Sequence, residues 1–98
     1  MMTREEVYKI IDDERAYQDK TYTPTKVLQS GQTRQQRDLD VTAHLVLLDQ
    51  YIEKAKVAWV TPGTNTPALQ QIAKVAAIAV RALERAGASE DLLKIGLR

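Results

Sequence analysis

A chain of 98 residues and 11.0 kDa, with 44% apolar residues and no cysteine, has room for one small domain and no disulfide framework. Its 14 basic and 13 acidic side chains leave a formal net charge of +1, which removes the broad basic field that nucleic-acid polymers and anionic membranes attract. A domain this small buries only about 60–65% of the surface its unfolded chain exposes, so assembly into a homo-oligomer is expected.

The first segment reads as a helix over about 4–18. Thr3 and Glu6 make a T-x-x-E capping box, and Val7, Ile10, Ile11 and Tyr17 fall near one face opposite Asp12, Asp13 and Glu14. The stripe is narrow, which suits a helix that docks on something larger. A polar stretch over about 19–39 follows and reads as a long loop.

The second helix, about 40–60, is capped by Asp40 or Thr42. Val41, Leu45, Leu48, Ile52, Ala55 and Trp59 recur at alternating spacings of four and three, a seam of almost three heptads. Leu47, Tyr51 and Ala58 add a second apolar line. One line can pack within the chain and the other against a second chain. Residues 61–66, with Pro62-Gly63, read as a tight connection in which Thr66 suits an N-cap and Pro67 a first helical position.

The third helix, about 67–86, is expected to stop at Gly87. Leu69, Ile72, Ala76, Ala79, Leu83 and Ala86 repeat its heptad seam, and further apolar positions wrap most of its circumference. Helices two and three should form an antiparallel hairpin about 30 Å long, covered on the outside by a second copy. A short turn over 89–95 covers the hairpin's end. The fold class is therefore all-α: a short N-terminal helix, a long polar loop, and an antiparallel helical hairpin in an oligomeric bundle.

No segment approaches the ~20 apolar residues that span a bilayer; the longest, Ile72 to Leu83, is interrupted by Lys74 and Arg81. The acidic-polar start lacks the apolar core of a signal peptide. A cytoplasmic protein is expected.

The stretch over 19–39 carries the chemistry. Lys20, Lys26, Arg34 and Arg37 fall in it with no acid between Lys20 and Arg37, beside Tyr22 and many hydroxyls and amides. Such cations can pair with phosphates, while Tyr22 and Tyr17, and Tyr8 further back on the first helix, offer flat faces to bases. The candidate ligand-binding residues are thus Tyr8, Tyr17, Lys20, Tyr22, Lys26, Arg34 and Arg37. The alternative is a solvated loop. His44 sits one turn after Asp40, which could orient its imidazole, but no motif supplies a nucleophile.

Metal-dependent hydrolysis needs carboxylates converging from several helices. Glu5, Glu6, Asp49 and Glu53 are the candidates, and the ExxE and ExxD pairs of MazG-like nucleotide pyrophosphohydrolases are missing from helices two and three. No catalytic residue, metal ligand or cofactor is assigned on this reading. Arg81 and Arg85 share a face of the third helix, either salt-bridged with Glu84 nearby or reaching a ligand.

Three segments in order carry a resemblance: residues 14–20 (ERAYQDK), 58–60 (AWV), and 72–80 (IAKVAAIAV) followed by Leu83-Glu84-Arg85 and a glycine. Across about 80 residues this resembles a group of short all-helical proteins of tailed phages. The layout is also similar to phage anti-defence sponge proteins of the anti-CBASS and anti-Thoeris kind, and distantly to MazG-like pyrophosphohydrolases. That resemblance implies a phage protein in the host cytoplasm, assembled as a homo-oligomer. It would bind a cyclic or signalling nucleotide without cleaving it, with no role at a membrane or a nucleic-acid polymer. The alternatives are a magnesium-dependent pyrophosphohydrolase and a protein-binding inhibitor of a host factor.

Overall fold

The computed structural model describes residues 1–60, 63–85, 94 and 96. It is all-α, with four helices among them: α1 (Arg4–Thr21), α2 (Arg34–Asp38), α3 (Val41–Val60) and α4 (Thr66–Arg85). The end expected at Ala86-Gly87 and all but Lys94 of the turn over 89–95 lie outside the described residues.

Helix α1 begins where its capping box predicts. The Thr3 hydroxyl accepts from the Glu6 amide at 3.1 Å, and the Glu6 carboxylate accepts from the Thr3 amide at 3.0 Å. The bond from the Thr3 backbone amide, and after it the Thr3 hydroxyl beside the carboxylate, hold the Glu6 carboxyl below the usual glutamate range. The helix runs three residues beyond the expected 18. Thr21 continues it by donating its hydroxyl to the carbonyls of Tyr17 and Gln18, and Tyr22 then turns out into extended backbone.

The stretch read as a loop is more ordered than its composition implies. Gly31, at φ +86°, makes a reversal that an L side chain resists, and Val27 and Thr33 form an isolated bridge across it. The amides of Arg34 and Gln35 reach back to the carbonyls of Lys26 and Pro24. Helix α2, which the sequence reading did not anticipate, has its own capping box: Thr33 accepts from the Gln36 amide and Gln36 accepts from the Thr33 amide. Thr33→Ala should cost about 1 kcal/mol, read as a lower denaturant midpoint. Because α2 carries Arg34 and Arg37, the same variant should weaken any ligand those side chains hold.

Of the two candidate caps for α3, Asp40 is the one used, accepting from the Thr42 and Ala43 amides. Helices α3 and α4 pack along each other as an antiparallel hairpin, α1 lies on α4, and α2 bridges α3 and α4. On α3 the inward face is His44, Leu47, Leu48, Tyr51, Ala55 and Ala58. On α4 it is Ala68, Gln71, Val75, Ile78 and Ala82, and Ala77 is buried as well. The fully buried apolar core among the described residues is small: Ala68, Ala77 and Ile78.

Candidate functional site

Charged groups hold α1 and α2 to the end of the hairpin. Arg15 of α1, almost fully buried, donates to both carboxylate oxygens of Glu84 on α4, and also to Asp19. Asp19 accepts in turn from Arg85 at 2.6 Å. Arg85 then reaches Asp38 of α2 at 3.0 Å, and Arg37 approaches the same carboxylate at 3.4 Å. Arg85 is thus paired with Asp19 and Asp38 instead of Glu84, and it also covers the Tyr22 ring, 4.4 Å from its centroid. Burial opposes the charge on Arg15, but its bonds and proximity to Glu84 and Asp19 outweigh that and raise its pKa.

Asp38 is 2% exposed and His44 1%. The His44 Nε2 lies 3.1 Å from the Asp38 carbonyl oxygen. The Asp40–His44 pair weighed from the sequence does not form, because the Asp40 carboxylate is engaged by helix amides. His44 is a buried link between α3 and α2 and does not line the pocket described next.

Beside this ion chain the four helices enclose an open pocket of about 360 Å³. Helix α1 contributes Glu14, Tyr17, Gln18 and Thr21, with Tyr22 just after it; α2 contributes Arg34 and Arg37. Leu47 and Tyr51 enter from α3, and Lys74, Ile78 and Arg81 from α4. Four cations and three tyrosines therefore face one space with a single carboxylate.

Arg81 is the most informative of these side chains. It is 9% exposed, and among the described residues no hydrogen bond or ion pair engages its guanidinium. Its Nε is buried without a partner, as is the Nε of Arg37. Desolvation, the largest effect, lowers the Arg81 pKa; Asp38 opposes this, and the charges of Arg37, Arg15 and Arg85 add to it. A buried guanidinium remains charged in proteins, so the site carries positive charge without an adequate acceptor. Arg34 is partly engaged, donating to the Thr21 carbonyl at 2.8 Å, which orients it over the end of α1.

Four of the seven candidate residues from the sequence meet here: Tyr17, Tyr22, Arg34 and Arg37. Tyr8, on the exposed first half of α1, and the exposed Lys20 and Lys26 do not line the pocket. The sequence did not single out Glu14, Tyr51 or Lys74 as ligand groups, and it offered Arg81 both a salt-bridged role and a ligand-binding one. A signal for Lys74 was present: Lys74 and Arg81, seven residues apart, share one face and are the two charged residues in the apolar run Ile72 to Leu83. The carboxylates considered for hydrolysis do not converge on the pocket. Glu5, Glu6, Asp49 and Glu53 are all exposed, with Glu6 in its capping box and Glu53 paired with Lys56 at 3.1 Å. Among the described residues no group of three His, Cys, Asp or Glu side chains is placed to hold a metal ion, and no helix is long and apolar enough to cross a membrane.

No protein-family model matches the chain, and no curated protein or solved structure is significantly similar to it.

Proposed function

We propose that this protein binds a small phosphate-bearing nucleotide and withholds it uncleaved, in the manner of a phage anti-defence sponge that captures a host immune signal. The observation that carries the reading is the buried Arg81 guanidinium, without a bonded acceptor, among Arg34, Arg37 and Lys74 in one pocket. A phosphate supplies the missing acceptors, and arginine forks match its oxygens in pairs. Tyr17, exposed at the rim, offers a face on which a base can stack. The volume, about 360 Å³, is at the small end of ligand sites, so it suits one nucleotide unit of a larger ligand. The lining groups serve to hold an anion: Glu14 is the pocket's carboxylate, and cations surround it.

The test is to incubate the protein with a panel of cyclic dinucleotides, cyclic mononucleotides and nucleoside triphosphates, separate the complex, and heat it. Recovery of intact nucleotide from the denatured protein is expected, together with a rise in unfolding temperature by mass action. Recovery of cleaved nucleotide, with pyrophosphate release abolished by chelation, supports the pyrophosphohydrolase alternative instead. Retention of none of the panel removes the nucleotide reading altogether.

A further inference from the structure

The pocket is not lined for an anion alone. Glu14 brings to it a carboxylate, which can only accept hydrogen bonds. Lys74, Arg34, Arg37 and Arg81 line the same space, yet among the described residues the Glu14 carboxylate makes no hydrogen bond or ion pair. A site for phosphate alone gains nothing from an unpaired negative charge that repels it. The carboxylate suits a ligand that carries hydrogen-bond donors as well as phosphate. Its position fits such a ligand. Glu14, Tyr17, Gln18 and Thr21 fall on one face of α1 at spacings of three and four residues, and that face lines the pocket. Arg34 is held at the far end of this face by the Thr21 carbonyl. Glu14 lies seven residues back, about 10 Å along the helix, a span that a nucleotide covers from its phosphate to the far edge of its base. Gln18, one turn from Glu14, is already oriented. Its Oε1 accepts from Nη1 of Arg15 at 3.2 Å, which leaves its NH2 group to donate.

We infer that Glu14 and Gln18 read the edge of a guanine, so that the pocket selects a guanine nucleotide; the inference rests on the nucleotide reading and narrows it. Guanine sets its ring N1–H and its 2-amino group side by side, two donors for the two oxygens of one carboxylate. Next to them its O6 is an acceptor for the Gln18 NH2 group. Adenine and cytosine each set one amino group beside a bare ring nitrogen, whose lone pair would face the carboxylate. Uracil places its one N–H between two carbonyl oxygens, which the carboxylate also repels. Tyr17, between Glu14 and Gln18 in sequence and exposed at the rim, supplies a face for stacking that any base can use. The choice among bases therefore falls to Glu14 and Gln18. A site built to hydrogen-bond a ligand group rejects analogues that lack it, because its own polar atoms are left unpaired.

The test is equilibrium titration with pairs matched in phosphate: GMP against AMP, and cyclic di-GMP against cyclic di-AMP. In the unmodified chain the guanine member of a pair should bind at least about tenfold tighter, the worth of a hydrogen bond to a charged group. Glu14→Gln should abolish that preference by weakening the guanine ligands. The adenine ligands should bind this variant equally or more tightly, because a repelling charge has gone. Arg81→Met should weaken both members of a pair alike. Glu14 holds nothing in the fold among the described residues, so the glutamine variant should keep its helical circular dichroism; if it does not fold, the matched pairs on the unmodified chain decide alone. Equal affinity within each pair, or a guanine preference that survives Glu14→Gln, would overturn the guanine assignment and leave the nucleotide pocket standing. Loss of both members on adding EDTA would overturn it too, by placing a divalent cation between Glu14 and the phosphates. Binding of no probe at all would defeat this inference and the nucleotide reading together.

Discussion

Replacing Arg81 with methionine is expected to stabilise the ligand-free protein while removing most of its affinity for phosphate-bearing ligands. The two effects share one cause. Arg81 is buried near three other arginines, its pKa lowered chiefly by desolvation, and it has no bonded acceptor. Methionine keeps much of the side-chain volume and packs on Ile78 without bringing a charge into the interior. Even well-paired buried charges are often replaced by apolar residues with a gain in stability. A gain of about 1 kcal/mol would raise the unfolding temperature of a domain this size by about 4–8 °C. On the ligand side, losing charge-assisted bonds to a phosphate costs about 1.5–3 kcal/mol, which is more than a tenfold loss of affinity. Arg81→Lys should keep the charge but not the fork and lie between the two. Thermal unfolding and titration of the same samples measure both effects. A variant that is less stable and binds normally would show that Asp38 already serves as the Arg81 counter-ion, and the anion-site reading would lose its main support.

The helices were readable because each has a periodic face and a chemical start. Thr3 with Glu6, Asp40, and Pro67 just inside α4 mark positions where backbone amides lack helical partners. The heptads then place α3 and α4 side by side. Helix α2 has the same kind of marker in Thr33 and Gln36, but five residues with no apolar periodicity give no second signal. The loop around Gly31 is likewise fixed by backbone bonds between residues that no local pattern pairs. The candidate site was half legible for a related reason. Tyr17, Tyr22, Arg34 and Arg37 lie close together in sequence, so a local excess of basic and aromatic groups revealed them. Tyr51, Lys74 and Arg81 join them only through the packing of α3 and α4; Tyr51 and Lys74 look like ordinary helix residues until that packing is known, and Arg81 looks equally suited to a salt bridge. The Asp40–His44 pair failed for the opposite reason. Spacing of one helical turn allows the contact, but an N-terminal aspartate is more useful to the free amides of Thr42 and Ala43.

Asp38→Asn should be the most destabilising single change among the polar residues, at about 3–5 kcal/mol. The Asp38 carboxylate is buried and receives Arg85 at 3.0 Å and Arg37 at 3.4 Å. An amide keeps one acceptor and turns a pair of donor hydrogens towards one of those guanidiniums. Arg37 and Arg85 would then lose the carboxylate that pairs with them. The damage would spread, because Arg85 also holds Asp19, and Asp19 holds Arg15. Loosening that chain frees α1 and α2 from α4 and opens the pocket between them. Against a total stability of about 5–15 kcal/mol for a chain of this length, the loss leaves a marginal fold. Asp13→Asn is the matched control: it removes the exposed Lys9–Asp13 pair on α1, and such pairs contribute about 0.5 kcal/mol or less. Urea unfolding of both variants at low and high protein concentration gives the comparison. Asp38→Asn should lower the midpoint strongly at each concentration, since the Asp38 carboxylate acts within the chain, on Arg85 and Arg37. A loss seen only in dilute solution would mean that the residue acts through assembly and not through the ion chain.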